Sequence, residues 1–235
     1  MLNVIEKLYH GLIVSCQAVT WDGHLNPDDP FYGPTMMAAM ARAAVLGGAK
    51  GIRANGPADV RAIREAVNVP IIGINKIDIP GYDVRITPTF EAAEEVVRSG
   101  ADIIALDCTE RPRPGNVSIS ELISRIKQEL GVLVMADIST LEEGIAAARA
   151  GADLVATTLS GYTPYSRKPD GPDLALVEEL ARELDVPIVC EGRISSPGEA
   201  RKALDLGAHA VVVGAMITSP QRITEVYVRA LEEGN

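Results

Sequence analysis

The sequence predicts a single (β/α)8 barrel of the TIM type, with a short N-terminal helix capping the barrel floor, and three observations carry that prediction. The first is repetition. Segments in which a helix-like stretch ends in Gly-Ala and runs into apolar residues recur as GGAKGIRA (47–54), SGADIIALD (99–107), AGADLVATT (150–158) and LGAHAVVVG (206–214). Their alanines, Ala49, Ala101, Ala152 and Ala208, stand 52, 51 and 56 residues apart. One βα unit takes about 30 residues, so each interval holds two. The second observation is the runs between them: GLIVSCQ (11–17), NVPIIGIN (68–75), GVLVMAD (131–137) and DVPIVCEG (185–192) bring the strands to eight. The third is composition. Apolar residues make up 47% of the chain but aromatics only 4%, with one Trp and two Phe. Such a core is built from Val, Ile, Leu and Ala, which suits parallel strands buried on both faces.

The elements follow in order. Leu2–Tyr9 reads as the floor helix. Strands are expected near 12–16, 51–54, 71–75, 103–107, 132–136, 153–157, 187–190 and 210–213. Helices are expected over Met36–Leu46, Ala58–Ala66, Phe90–Ser99, Ser118–Leu130, Leu141–Ala150, Leu174–Leu184, Pro197–Leu206 and Ile223–Glu232. Thr35, Ser118, Thr140, Ser196 and Ser219 are candidate caps, with Pro57, Pro197 and Pro220 suited to first turns. The glycine before each repeat alanine is suited to end its helix in the left-handed region. Fourfold repetition without a reversal of strand order favours a closed barrel over an open doubly wound sheet. The 235 residues match one domain, 1–235, since such barrels run to about 250.

Charge and cysteine content narrow the partners. The net charge is −10 and basic residues are scattered, which argues against nucleic acid or an anionic membrane as partner. Cys16, Cys108 and Cys190 form no CxxC pattern, so free buried thiols in a reducing, cytoplasmic compartment are expected. No run approaches the roughly 18 apolar residues of a membrane span, and the N-terminus lacks a signal-peptide pattern. His10, His24 and His209 share no common set of strand ends, so no metal site is expected. Met36, Met37 and Met40 read as core, Asp28-Asp29 as a solvated turn in preference to a cation site, and Arg111-Pro112-Arg113-Pro114 either as a stiff exposed loop or as an arm that reaches a phosphate.

In barrels of this kind the functional residues sit where strands enter the βα loops. Those ends carry Ser15-Cys16-Gln17, Arg53-Ala54-Asn55, Asn75-Lys76, Asp107-Cys108-Thr109, Asp137, Thr157-Thr158, Glu191-Gly192-Arg193 and Gly214-Ala215. Six of the eight hold an ionisable group or an amide, which converge as a polar pocket. Gly192, Arg193, Gly214 and Ala215, on adjacent loops after strands seven and eight, are placed to hold a phosphate through backbone N–H groups. Lys76 follows a buried run, so desolvation lowers its pKa, and Arg53 one strand away pushes the same way. Glu191 and Asp137 enter from the opposite side of the barrel to position or shuttle protons. Lysine with carboxylates suits proton abstraction beside a carbonyl. A carbon acid lies about ten pK units above such a base, about 14 kcal/mol, so the site must also stabilise an enediolate-like anion.

The segments SCQA (15–18), GGAKGIRANG (47–56), PIIGINKIDIPGYDVRITPT (70–89), ADIIALDCTERPRP (101–114), MADIST (135–140), GADLVATTLSGYT (151–163) and EGRISSP (191–197) resemble the N-acetylmannosamine-6-phosphate 2-epimerases. The resemblance covers nearly the whole chain. It implies a cofactor-independent, metal-free isomerase of sialic acid catabolism that exchanges the C2 epimers of an N-acetylhexosamine 6-phosphate, and a homodimer. By the same resemblance Lys76 moves the C2 proton of the open-chain sugar and Glu191 assists proton transfer. Gln17, Arg53 and Asp137 contact the substrate, Tyr162 borders the acetamido group, and Gly192, Arg193, Gly214 and Ala215 hold the phosphate. Two departures stand out: Thr218-Ser219-Pro220 replaces a Thr-Arg-Pro run, so that the phosphate cation is either absent or supplied by Arg193 or Arg222, and the 19–34 loop is long. Two alternatives remain at this stage. Lys76 forms a Schiff base in a lyase or synthase, or the barrel binds a sugar phosphate without catalysis.

Overall fold

The computed structural model describes residues 2–20 and 23–232. Its elements run α1 (Leu2–Leu8), β1 (Gly11–Cys16), α2 (Pro34–Leu46), β2 (Gly51–Asn55), α3 (Pro57–Ala66), β3 (Ile71–Ile74), α4 (Phe90–Arg98) and β4 (Ile103–Asp107). They continue with α5 (Ile119–Arg125), β5 (Leu133–Asp137), α6 (Leu141–Arg149), β6 (Leu154–Ala156), α7 (Leu174–Glu183), β7 (Ile188–Glu191), α8 (Pro197–Asp205), β8 (Ala210–Val213), α9 (Ala215–Thr218) and α10 (Pro220–Glu232). The eight strands close into a barrel in sequence order. Every pairing is parallel, and β8 returns to β1 in the register Gly11↔Ala210 through Val14↔Val213. Among the described residues no helix is long and apolar enough to cross a membrane.

Strand periodicity sorts side chains into two layers. Ile72, Ile74, Ala210 and Val212 fill the barrel interior, while their neighbours Ile71, Val211 and Val213 pack outward against the helices. Gly73 faces outward, and a Cβ there would lie 2.3 Å from Val96 Cγ1 and 2.7 Å from Ala101 Cβ. The glycine is therefore what lets α4 lie close to β3. Leu8 of α1 is fully buried in the interior cluster, with Val4 and Ile5 packed on it, so α1 does plug the floor.

The repeat has a local cause. Gly48, Gly100, Gly151 and Gly207, the glycines before the repeat alanines, all have φ between 98° and 108°. They turn the chain out of one helix and directly into the next strand. Ser118, Thr140 and Ser196 cap α5, α6 and α8, the last two with complete capping boxes.

Several expectations need correction. Thr35 is not a cap: α2 starts at Pro34 after Gly33, which has φ 104°. The helix from 118 to 130 changes at Ile126 into a π-helical turn ending at Leu130. The short α9 had no periodic signal, being only four residues long. Met37 is core, but Met36 is exposed. Asp29 is buried rather than solvated, because it accepts from Phe31 N (2.8 Å) and from Gln221 Nε2 (2.7 Å) and so ties the first βα loop to α10. Part of that loop, residues 21–22, lies outside the described residues.

Candidate active site

The centre of the site is an ion cluster that spans the barrel just under its C-terminal mouth. Arg53, on β2, is 1% exposed and donates through Nη1 and Nη2 to Asp137 of β5 at 3.1 and 2.5 Å. The same Nη1 lies 3.0 Å from Glu191 Oε2 on β7. Burial alone would lower the Arg53 pKa; Asp137 and Glu191 more than reverse it, so the guanidinium stays charged. Its Nε and Glu191 Oε2 are buried without a hydrogen-bond partner.

Lys76 emerges directly after β3. Its backbone N–H donates to Asn55 Oδ1 at 2.8 Å, and its Nζ donates to Gly23 O at 3.1 Å. The chain beyond folds back on itself: Ile77 N donates to Arg85 O at 3.1 Å, and Thr87 N donates to Asn75 O at 3.0 Å. Thr87 closes this loop in the left-handed region, φ 47°, a strained state for a β-branched residue. It is held there because its hydroxyl donates to Ala105 O at 2.7 Å and accepts from Asn75 N at 3.1 Å. The return brings Arg85 and Asp83 to the cavity that Lys76 lines.

That cavity, about 460 Å³, is walled by Lys76, Glu191, Thr158, Gly192, Tyr162, Arg85, Asp107, Arg111 and Arg222 among others. A smaller recess of about 90 Å³ adjoins it at Lys76, Val19 and Arg222, and is lined by Ser15, Gln17, Gly214, Ala215, Thr218 and Ser219. Gln17 reaches it with Nε2 donating to Ser15 Oγ at 2.8 Å, its buried Oε1 lacking a partner.

Two ionisations are brought close to neutrality. Burial first, then Arg53 and Arg85, lower Lys76 to about 8 against the opposing pull of Glu191 and Asp137. Burial first, then Asp137, raise Glu191 to about 7 against Arg53 and Lys76. An amine and a carboxyl of nearly matched proton affinity on one cavity wall are suited to exchanging protons with a bound molecule.

Lys76, Glu191, Gly192 and Tyr162 meet at the larger cavity, and Gln17, Gly214 and Ala215 at the smaller one. Arg53 and Asp137 lie beneath the cavity floor rather than in its wall, at 1% and 0% exposure. They act on the cavity through Lys76 and Glu191. The Arg193 side chain turns into the β6–α7 connection, where its Nη1 donates to Ser160 O at 2.7 Å and its Nε to Gly171 O at 3.0 Å. Gly161, at φ 87°, makes this possible, since a Cβ there would lie 2.7 Å from Arg193 Nη1. The expectation of an exposed loop at 111–114 is corrected. Arg111 is only 14% exposed, its Nη2 2.5 Å from Asp107 Oδ2, and Arg113 is buried with Nη2 donating to Asp107 O at 2.6 Å.

Sequence reasoning placed Asp107 and Thr158 at the strand ends without giving them a role, and missed Arg85 as a cavity residue. The long connection from 75 to 89 was an available signal for Arg85, because connections of that length in compact domains are commonly functional. The three thiols, by contrast, are inert: Cys16, Cys108 and Cys190 are buried, and burial raises their pKa.

Comparison with known proteins sets this geometry among relatives. Residues 37–233 match the family model described as "Putative N-acetylmannosamine-6-phosphate epimerase". A "Putative N-acetylmannosamine-6-phosphate 2-epimerase" of Caldanaerobacter subterraneus subsp. tengcongensis is 50% identical over 233 residues, 99% of this chain and 95% of that protein. One of the same description from Clostridioides difficile is 45% identical over 229 residues, 97% of this chain and 99% of that protein. The solved structure of the N-acetylmannosamine-6-phosphate 2-epimerase from Clostridium perfringens superposes with a TM-score of 0.90 at 44% identity, covering 96% of this chain and 95% of that one. The chain belongs to the N-acetylmannosamine-6-phosphate 2-epimerase family.

Proposed function

We propose that the protein interconverts N-acetylmannosamine 6-phosphate and N-acetylglucosamine 6-phosphate by removing and returning the C2 proton of the open-chain sugar. The observation that carries this reading is the pairing of Lys76 and Glu191 on one cavity wall above the buried Arg53–Asp137 pair. Neutral Lys76 takes the C2 proton. The C2–H bonding pair moves toward C1, and the C1 carbonyl oxygen takes up the negative charge. Arg85, Arg111 and Arg222 in the cavity wall supply positive potential that favours this anion. The enolate then turns about its C2–C3 bond to present its other face, and the Lys76 ammonium returns a proton to C2 as the C1 oxygen's electron pair reforms the carbonyl, which gives the other epimer. Protonated Glu191 serves the transfers at the sugar oxygens, including ring opening. Gln17, Gly214 and Ala215 suit the adjoining recess to the 6-phosphate, with Arg222, which lines both spaces, as its cation.

Two further readings accompany this one. Exposed apolar residues of the C-terminal helix α10, Val226, Tyr227, Val228 and Leu231, support a homodimer. Three unpaired buried thiols support a reducing, cytoplasmic setting, as expected of a sugar-phosphate enzyme.

The test is NMR of N-acetylmannosamine 6-phosphate incubated with the protein near neutral pH. Appearance of N-acetylglucosamine 6-phosphate to a fixed ratio, reached equally from either epimer, is expected. Folded protein that leaves both sugars unchanged would overturn the reading. A borohydride-stable adduct at Lys76 accompanied by carbon–carbon cleavage would replace it with the Schiff-base alternative.

A further inference from the structure

Glu143 and Glu199 begin α6 and α8 in the same way, each as the third helical residue of a complete capping box. In both, Oε2 accepts from a serine N–H, from that serine's hydroxyl and from the following N–H. For Glu143 these are Ser139 N, Ser139 Oγ and Thr140 N at 2.7, 2.7 and 3.1 Å. For Glu199 they are Ser195 N, Ser195 Oγ and Ser196 N at 2.7, 2.9 and 3.1 Å. The other oxygen sets the two apart. Glu143 Oε1 accepts from Glu110 N at 2.9 Å and from the Tyr165 hydroxyl at 2.6 Å. Glu199 Oε1 accepts no hydrogen bond among the described residues. Five donors fill the acceptor capacity of the Glu143 carboxylate, in a residue only 3% exposed. A helix cap needs only three of them.

The two added donors belong to loops that wall the cavity. Glu110 stands in the β4–α5 connection beside Arg111, which reaches the wall with Nε on Thr109 Oγ1 at 3.0 Å and Nη2 on Asp107 Oδ2 at 2.5 Å. Tyr165 stands in the β6–α7 connection, which lends Thr158, Leu159 and Tyr162 to the same wall. A second path joins that connection to Glu143, since Thr163 Oγ1 donates to Ser139 Oγ at 3.0 Å and Ser139 Oγ donates to Glu143 Oε2. In the closed ring of eight strands, β4 and β5 lie across from β8 and β1. The recess suited to the 6-phosphate is at the ends of β1 and β8. A sugar anchored there with C2 at Lys76 directs its N-acyl group and C1 toward the wall that runs from β4 to β6.

We infer that Glu143 is a positioning residue that joins these two loops, fixing the wall met by the N-acyl group and so making the site selective for N-acylated sugar phosphates. Glu143 itself lines neither the cavity nor the recess. The inference rests on the proposed function for the placement of the sugar. Glu143→Gln isolates the tie. Its amide oxygen takes the three capping donors, because an NH2 group there would confront all of them. The NH2 group is left against Glu110 N–H, two donors with no acceptor between them, while the Tyr165 hydroxyl turns to accept. Glu199→Gln keeps its cap for the same reason and has no loop to release.

The experiment measures, by calorimetry on the full-length protein, the binding of N-acetylglucosaminitol 6-phosphate, glucitol 6-phosphate and inorganic phosphate. The two alditols are open-chain and have no carbonyl to react, and they differ at C2, an acetamido group in one and a hydroxyl in the other. Native protein is expected to favour the N-acetyl alditol at least about tenfold. In Glu143→Gln that preference should fall about fivefold, with Kd for inorganic phosphate within about twofold of native. Tyr165→Phe, which cuts the other tie, should lower the preference as well, and Glu199→Gln should keep it. A native preference in both Glu143→Gln and Tyr165→Phe overturns the inference. So does an equal loss in Glu199→Gln, which would make helix capping the cause, or an equal weakening of inorganic phosphate, which would make the damage general. Native protein that binds both alditols without preference overturns acyl selection and leaves the proposed function standing. Native protein that binds neither overturns the proposed function, and the role of Glu143 falls with it.

Discussion

Replacing Arg53 with methionine tests whether the buried ion cluster holds the barrel mouth together. Arg53 and Asp137 are 1% and 0% exposed, and Glu191 is 12% exposed. In Arg53→Met, Asp137 loses both guanidinium contacts and keeps only the hydrogen bond from Thr158 at 2.7 Å. A carboxylate left in that position either stays charged without compensation or takes up a proton. Breaking one side of a buried pair costs about 3–5 kcal/mol, a large part of a typical stability of about 5–15 kcal/mol. Asp137→Leu should also destabilise, though less, because Arg53 loses two hydrogen bonds but keeps Glu191 Oε2 at 3.0 Å as a counter-charge. The double variant Arg53→Met/Asp137→Leu removes both charges, so it should recover most of the loss, with a coupling of at least about 2 kcal/mol. Urea unfolding of the four proteins at one pH reads this out. Singles within about 1 kcal/mol of native, or single costs that simply add in the double variant, would refute the reasoning.

Other outcomes follow from the same geometry. Activity needs Lys76 neutral, a fraction that grows as pH rises through about 8, and Glu191 protonated, a fraction that shrinks as pH rises through about 7. The product of these fractions peaks between the two, near pH 7.5. The kcat/KM profile should therefore be a narrow bell, and a plateau extending above pH 9 would show that Glu191 need not hold a proton. Gly73→Ala forces a Cβ to within 2.3 Å of Val96 Cγ1, and should lower stability by about 1–3 kcal/mol in thermal unfolding; a native Tm would mean that α4 shifts freely. Arg222→Ala should raise KM for the phosphorylated sugar at least tenfold and abolish competitive inhibition by inorganic phosphate, and unchanged values would move the phosphate elsewhere.

The scaffold was legible in the sequence because its signals are local and repeated. Each repeat glycine must leave a helix in the left-handed region, and each following run must be apolar on both faces, so the strands could be placed to within a residue and the helices to within three. The strand-end rule likewise brought Lys76, Glu191, Gln17, Gly192, Gly214 and Ala215 to the cavity mouth. Side-chain direction was not legible. Arg193 sits on a predicted phosphate loop, yet its guanidinium binds two carbonyls of the β6–α7 connection, a choice that depends on the space left by Gly161. Arg53 and Asp137 were found as residues but not as a buried pair, because their contact joins strands 84 positions apart in sequence. Arg85 and Arg111 reach the cavity through irregular loops whose paths are set by Thr87 and Asp107, and no periodicity reports such paths.

The most direct test of the proton-transfer scheme is the fate of hydrogen at C2. N-acetylmannosamine 6-phosphate is incubated in D2O with native protein and with Lys76→Ala, and C2 is followed by NMR. Native protein should introduce deuterium at C2 as the epimers interconvert, and the variant should do neither while remaining folded. Epimerisation that retains the original hydrogen in D2O, or deuterium uptake that continues in Lys76→Ala, would contradict the assignment of Lys76 as the group that moves this proton.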